Sequence, residues 1–431
     1  MLGQNRENRI RVRIPYNKHE YIVEIPKENL LKVLIPSDLP KIKNLKASVK
    51  KVLNNPIGTK SLKNIVESHN PKKVVIIISD LTRNVPDDIL VPEIVNELCR
   101  GGVSLDDIVV VVATGAHTPP PVESVKEKIK SKIIEDIKIE IHDCDKSEFV
   151  FVGKTKLGNE IYVNKTVVDA DLKIATGCIA PHIIAGYSGG RKSILPGVSA
   201  RKTITYNHTK FITNPNVRPG VLDNNPVHED MEEAAKLVGL DFIVNVIYNS
   251  KEQVCGVVAG DPFKAWYEGV KIANKMFKVN LPEPVDILIT SPGSSAAGIN
   301  MYQTLSKAVN PFWPIIKDDG ILILVSPCKE GVGDILMEEW INVASSPSDI
   351  LERVEKEGLK IGPHVFWYTC YNILKRARIF AVTDLPVNLV KKMFMEPFDD
   401  PNDALDEAFR ILGRDVKVAV IPSSVSIIAS L

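Results

Sequence analysis

The chain reads as an α/β protein of two domains, with mostly parallel sheets flanked by helices and an active site in the inter-domain cleft. Three observations predict this. Continuous apolar runs such as KKVVIIISD (72–80), DDIVVVVATG (106–115) and DLKIATGCIA (171–180) recur along the chain. Runs of this kind are strands covered on both faces. Stretches with helical periodicity alternate with them, the pattern of strands joined by crossover helices. Finally, VNLPEPVDI sets two prolines between a helix and a strand, and a second α/β series starts after it. That places a boundary near residue 280 and gives domains 1–280 and 281–431. A length of 431 residues agrees, being too long for one simple core.

The first 36 residues alternate in strand fashion (RIRVRIPY, EYIVEIP, LKVLIP) and predict a β-rich N-terminal piece. KSLKNIVESH reads as a helix before the first buried strand. PDDILVPEIVNELCRGG reads as the helix after it, with proline near its start and glycines at its end. VESVKEKIKSKIIEDI is a charged amphipathic helix, DFIVNVIYN a fourth buried strand and FKAWYEGVKIANKMF the last helix of this half. Beyond the boundary, DILITSPG, GILILVSPC, RIFAVTD and VKVAVIP read as strands, with helices around 300–318, 347–357, 365–377 and 402–412.

Composition narrows the class of function. Apolar residues make up 44% and charged residues 25%, as in ordinary soluble proteins. With 54 basic against 53 acidic residues, no net field attracts nucleic acid or an acidic membrane. The six cysteines form no CxxC pair and read as reduced, mostly buried thiols. The polar N-terminus and the lack of a spanning apolar run predict a soluble, cytoplasmic protein.

Three strand-end loops carry chemistry-bearing residues: Asp80 to Arg83, Thr114 to His117, and the segment from Pro181 to His208, PHIIAGYSGGRKSILPGVSARKTITYNH. In doubly wound sheets such loops converge on one crevice. Arg83 can clamp a carboxylate, with Asp80 orienting its guanidinium. Thr114 and Gly115 form a tight turn where backbone N–H groups can meet an anion, and His117 after it can act as a base. Ser188, Gly189 and Gly190 can cradle a phosphate, with Lys192 as the cation or, at a lowered pKa, as a nucleophile. Neither a dinucleotide fingerprint nor a P-loop spacing is met. ARKTITYNH, ending in His208, reads as helical or extended. His142 beside Asp143, Cys144 and Asp145 reads as a solvated loop rather than half of a metal site. His228 and His364 lack nearby partners in sequence and read as structural. In the second half, SPGSSAAGIN leads into Tyr302, Gln303 and Lys307 at a helix start, a place for anion and substrate contacts.

DLTRNVP, ATGAHTP, the long PHxxAGxSGGxKxxLPG motif and the NH ending at His208 resemble the nickel-dependent lactate racemase family, in its broad sense of 2-hydroxy-acid racemases and epimerases. The YQ at Tyr302 and Gln303 also fits. The resemblance implies a nickel-pincer nucleotide, a pyridinium-3,5-bisthiocarboxylic acid mononucleotide carrying nickel, made by separate maturation enzymes and tethered to Lys192. It implies His208 as the protein ligand to nickel and His117 with His182 as paired acid–base residues. Arg83 and Asp80 would hold the substrate carboxylate. Thr114, Gly115, Ser188, Gly189 and Gly190 would lie on the cofactor side, and Tyr302, Gln303 and Lys307 on the substrate. Two departures stand out. Ser306 occupies the place where lactate-specific members carry a lysine, and Lys307 comes one residue later. On an α-helix one residue is about 100° of rotation. Thr118 stands where those members carry arginine.

The implied chemistry suits the residues. Abstracting a proton from the 2-carbon would place charge beside a carboxylate, whereas hydride abstraction gives a neutral 2-keto group. Two bases on opposite faces serve both enantiomers. Two rival readings remain: a zinc hydrolase using His117, His182 and His208, and a non-catalytic binder of a nucleotide or sugar acid. HExxH-type spacing is absent. A binder would not need two histidines on separate loops.

Overall fold

The structure is a computed structural model and describes residues 8–293 and 298–431. The chain divides into two compact units, one of residues 38–276 and one of residues 1–37 together with 277–431. Each has its own six-stranded sheet and its own apolar core. The α/β class with mostly parallel sheets and flanking helices is as expected from the sequence.

In the unit of residues 38–276 the strand order is Val254–Gly260, Phe242–Tyr248, Leu172–Cys178, Val74–Ser79, Ile108–Ala113, Lys138–Ile141. All neighbours are parallel except the edge strand Val254–Gly260. Alternate residues of the central strands, Ile76, Val110, Ile174 and Val244 among them, share one core with helices Leu45–Asn54, Leu62–His69, Asp87–Arg100 and Val122–Ile129. The intervening residues Ile77, Val111, Ala175 and Ile243 are equally buried. Burial on both faces is why these strands appear as unbroken apolar runs. From Val74–Ser79 the chain moves outward to Ile108–Ala113, then returns to Leu172–Cys178 on the other side. The strand order thus reverses between Val74–Ser79 and Leu172–Cys178. A crevice forms beyond the carboxyl ends of strands at such a switch point.

In the other unit the order is Glu396–Phe398, Arg378–Val382, Ile316–Val325, Val285–Thr290, Val418–Ile421, Leu30–Val33, all parallel. The N-terminal strands therefore do not belong where the sequence reading put them. The expected break near 280 lies close to the observed one at Met276 and Phe277, but the first 37 residues pack with the C-terminal unit. Leu30–Val33 extends the sheet beside Val418–Ile421, and Val12, Ile14, Val23 and Ile25 of the hairpin Arg9–Tyr16/His19–Pro26 join a core with Ile287, Ile289 and Phe380. Pairing across most of the chain leaves no local trace.

Other elements also differ from expectation. The helix expected around 300–318 is one α-turn, Met301–Thr304, then a π-turn over Leu305–Val309 and a 3-10 segment, Asn310–Ile315. Pro311 and Pro314 lack the N–H that an α-helix needs. The helix expected around 365–377 is likewise His364–Thr369 followed by a π-turn, Cys370–Leu374. The helix expected over 122–137 stops at Ile129, where Lys130 takes a left-handed conformation. Among the described residues no helix is long and apolar enough to cross a membrane.

Candidate active site

The three strand-end loops meet as the topology requires. Gly115 N–H donates to Gly197 O at 2.9 Å, tying the loop after Ile108–Ala113 to the turn that follows Lys192. His117 Nδ1 lies 2.6 Å from Asp80 Oδ2, joining that loop to the one after Val74–Ser79. Lys192, His208 and Arg83 are all close enough to act electrostatically on His182. Asp80, Arg83, His117, His182, Lys192 and His208 thus share one end of one sheet.

Asp80 is buried, while the His117 side chain is 47% exposed. Burial alone would raise the Asp80 pKa. The hydrogen bond with His117 and those from Thr82 Oγ1 (2.7 Å) and Thr82 N–H (3.1 Å) outweigh it and hold the carboxyl below its ordinary range. An ionised Asp80 can only accept, so His117 Nδ1 donates to it and Nε2 is the nitrogen left facing outward. Asp80 orients His117; among the described residues no hydrogen bond or ion pair links it to the Arg83 guanidinium, whose charge still adds to the lowering of its pKa. Arg83 is exposed, and its backbone N–H donates to Asp80 O at 3.3 Å.

His182 is prepared in the opposite sense. Its Nδ1 accepts from Ala185 N–H at 3.2 Å and Ile184 N–H at 3.4 Å, so the proton of the neutral ring sits on Nε2. Burial, aided by the charges of Lys192, His208 and Arg83, pushes its pKa well below the ordinary histidine value. Lys192 is partly buried, and burial beside Arg191 and Arg83 brings its amine well below 10.5.

The glycine turn makes contacts of its own with the rest of the unit. Ser188 Oγ donates to Cys178 O (2.7 Å) and accepts from Ala180 N–H (2.9 Å). Gly190 N–H donates to Asn245 Oδ1 at 2.8 Å. Gly189 and Gly190 have φ of +77° and +53°, and a Cβ at Gly190 would stand 2.7 Å from the Trp266 ring. Thr114 Oγ1 is also committed, to His142 O at 2.7 Å. These residues shape the loops through their own backbone contacts.

Several residues that hold the site were not singled out from sequence. Arg191, fully buried, donates to Ala185 O, Tyr187 O and Gly189 O, and its Nε to His228 Nδ1 at 3.0 Å. It stacks 3.8 Å above the Trp266 ring. Burial lowers the guanidinium to about 9, still charged at neutral pH. His228 therefore has partners, Tyr267 Oη at 3.1 Å and Glu232 at 3.3 Å among them. Lys128 Nζ reaches Asp87 Oδ2 at 2.8 Å and the carbonyls of Asp80 and Arg83, bracing the arginine loop. His142 is wholly buried, its Nε2 on Ser199 O at 3.1 Å, and is not in a solvated loop.

His208 lies on Arg201–Lys210, which is a helix. In the other unit, Asn300 caps the turn bearing Tyr302 and Gln303 by accepting from Gln303 N–H at 2.9 Å. Tyr302 packs edge-on against His364 at 6.3 Å, so His364 is not isolated either. Lys307 is partly buried inside the π-turn. Part of the small-residue loop before Tyr302, residues 294–297, lies outside the described residues. Among the described residues the only group of three or more His, Cys, Asp or Glu side chains grouped closely enough for a metal is Asp143, Cys144 and Asp145. Arg201 already pairs with Asp145 at 2.6 Å. His117, His182 and His208 do not form such a set, which removes the geometric basis of the zinc hydrolase reading.

Residues 16–220 match the lactate racemase N-terminal domain and residues 281–429 the lactate racemase C-terminal domain. The chain is 35% identical to the lactate racemase of Thermoanaerobacterium thermosaccharolyticum over 97% of its own length and 98% of that protein's. It is 31% identical to the lactate racemase of Lactiplantibacillus plantarum, over 97% and 99%. Its structure is similar to the lactate racemase apoprotein of T. thermosaccharolyticum (TM-score 0.89, 33% identity, 98% of this chain and 100% of that one). It shares its fold with a protein from Thermotoga maritima (TM-score 0.64, 15% identity, 92% and 100%). With its strand-end histidines and these two full-length relatives, the chain belongs to the lactate racemase family and is an enzyme of the isomerase class.

Proposed function

We propose that this enzyme interconverts the enantiomers of lactate or a closely related short 2-hydroxy acid, with His117 and His182 as its acid–base pair. The observation that carries the reading is that both rings are oriented through Nδ1, His117 by Asp80 and His182 by the backbone N–H groups of Ile184 and Ala185, so that Nε2 of each is left to exchange a proton with the hydroxyl group. A racemase needs one group to take the hydroxyl proton and another to return one from the other side. Arg83, exposed and outside any ion pair among the described residues, is suited to the substrate carboxylate. The resemblance would give Tyr302, Gln303 and Lys307 a part in substrate contacts.

The chain's residues fit the tethered nickel-pincer nucleotide implied by the resemblance. Burial beside Arg191 and Arg83 pulls the Lys192 pKa down, which favours the uncharged amine, the form that can take an acyl group. His208, near His182, can supply an imidazole to a metal. When bound, this group would supply a hydride acceptor, so that the substrate passes through a 2-keto acid. The protein's own part is to hold the carboxylate at Arg83, move the hydroxyl proton at His117 or His182 Nε2, and keep both rings oriented. Phosphate contacts are not assigned to Ser188, Gly190, Gly115 or Thr114, whose donors are committed elsewhere.

The lactate reading gains from the π-turn at Leu305–Val309. The rotation of about 100° separating Lys307 from the lactate-specific position assumes a straight α-helix. A π-turn takes up an extra residue, so a lysine one place later is no longer displaced by that amount. The test is a chiral assay of holo-protein, made with the maturation enzymes, on L- and D-lactate and larger 2-hydroxy acids. Equal formation of the opposite lactate enantiomer from either side supports the reading. Turnover of none of these acids by protein carrying the Lys192 adduct would overturn it.

A further inference from the structure

Asp230, on helix Pro226–Val238, is wholly buried and takes no part in the acid–base chemistry. Its Oδ1 accepts from Thr155 Oγ1 at 2.6 Å, and its Oδ2 accepts from Asn159 Nδ2 and Asn207 Nδ2, each at 2.8 Å. No cation pairs with it among the described residues. A carboxyl group taken from water without a counter-charge is costly unless hydrogen bonds replace its hydration. Three donors from two other elements do so here.

Those donors join two elements. Thr155 and Asn159 close the turn of hairpin Phe149–Lys154/Glu160–Asn164, where Thr155 N–H donates to Asn159 O at 2.9 Å. Asn207 belongs to helix Arg201–Lys210 and directly precedes His208. This helix, RKTITYNHTK, has three threonines and an isoleucine and no side-chain cap at its N-terminus. Such a sequence has little helical preference of its own. Polar contacts seat it instead. Thr203 Oγ1 donates to Glu160 O (2.6 Å), Tyr206 Oη to Leu157 O (2.8 Å), and Asn159 Nδ2 to Thr203 O (3.2 Å). Asn207 Nδ2 also reaches Val227 O at 3.2 Å, while its Oδ1 is buried with no hydrogen-bond partner among the described residues. Turning the amide over would set its oxygen against the Asp230 carboxylate, so Asp230 fixes how Asn207 sits. Neighbours on a helix differ by about 100° in bearing; anchoring Asn207 in the core therefore fixes the bearing of His208.

We propose that Asp230 is a positioning residue for His208, holding the helix of the metal ligand in register through Asn207. The proposal rests on the reading of His208 as the protein ligand to nickel. Holo-protein carrying Asp230→Asn or Asn207→Asp is compared with wild type after dialysis against a chelator. Nickel per chain is measured by atomic emission, the Lys192 adduct by intact mass, and folding by circular dichroism. Each single variant is expected to keep the adduct but lose nickel roughly 10-fold faster, the size of effect typical of supports behind a metal ligand. Wild-type nickel retention in folded single variants overturns the proposal. If Asp230→Asn does not fold, Asn207→Ser, which leaves Asp230 with Thr155 and Asn159, decides by the same readout. Wild-type protein with neither adduct nor nickel after co-production overturns the underlying cofactor reading, a result distinct from nickel-loaded variants that hold their metal.

Discussion

His117 Nδ1 stands 2.6 Å from Asp80 Oδ2, and this pairing decides which nitrogen of the imidazole faces outward as a base. The carboxylate is buried and accepts from Thr82 as well, so it is fixed before any substrate arrives. Asp80→Asn keeps the shape but can present an amide to Nδ1, which favours the wrong tautomer. We expect kcat to fall at least about 100-fold with a small change in KM, the range for losing an oriented acid–base group. Steady-state racemisation kinetics check this.

The same residue links stability to pH. The folded Asp80 pKa lies below its ordinary value of 3.8, so its contribution is fully present above that value and is lost as pH falls through the lower folded pKa. Asp80→Asn should therefore be less stable than wild type at neutral pH, by about 1–2 kcal/mol for a charge-assisted bond to a half-exposed ring. The gap should close in acid. Urea unfolding at a series of pH values below 6 or so measures it.

Lys192 moves stability with pH in the same direction, but as a penalty at low pH and not as a gain at high pH. Its folded pKa is well below 10.5, so in protein without the cofactor the unfolded chain binds this proton more readily than the folded one. The resulting penalty is absent above about 10.5, grows as pH falls and levels off below the folded value. Lys192→Met should melt higher than wild-type apoprotein at pH 7, with the gain shrinking toward pH 10.5. An equal gain at both ends would remove the buried neutral amine from the argument.

Ser188 and Gly190 should behave as structural residues. Ser188→Ala loses two backbone contacts and should cost about 1 kcal/mol while leaving the Lys192 adduct in place. Gly190→Ala places a Cβ 2.7 Å from Trp266 at a φ of +53° and should cost more, about 1–3 kcal/mol. Thermal melts with intact-mass analysis separate these effects from loss of a phosphate contact, which would strip the adduct from Ser188→Ala.

Lys307 should matter to substrate choice. Lys307→Ala is expected to raise KM for lactate about 10-fold or more, the worth of a charged hydrogen bond, with a smaller effect on larger 2-hydroxy acids. Unchanged KM for lactate would take Lys307 out of the site.

Local pattern and global pairing account for what could and could not be read along the chain. The strands at 72–80, 106–115 and 171–180 were legible because burial on both faces demands unbroken apolar runs. The converging loops followed from the parallel topology. The placement of Leu30–Val33 beside Val418–Ile421 was not legible, since sheet pairing between distant segments has no periodic signature. Nor were the roles of Arg191, Lys128 and Asp230, charged side chains that look solvated in sequence and are buried in the fold.

The sequence by itself determined the fold class, and its residue chemistry marked the histidines, arginine and lysine of the strand-end loops as candidates. These depend on periodicity and residue chemistry, which are local properties. Only the tertiary structure decided that Asp80 pairs with His117, that backbone N–H groups hold His182 through Nδ1, and that Ser188 and Gly190 bond to Cys178, Ala180 and Asn245. A hydrogen-bonding group has several possible partners along a chain. Which one it takes, and so which protonation state it offers, is set by neighbours that only folding brings within 3 Å or so.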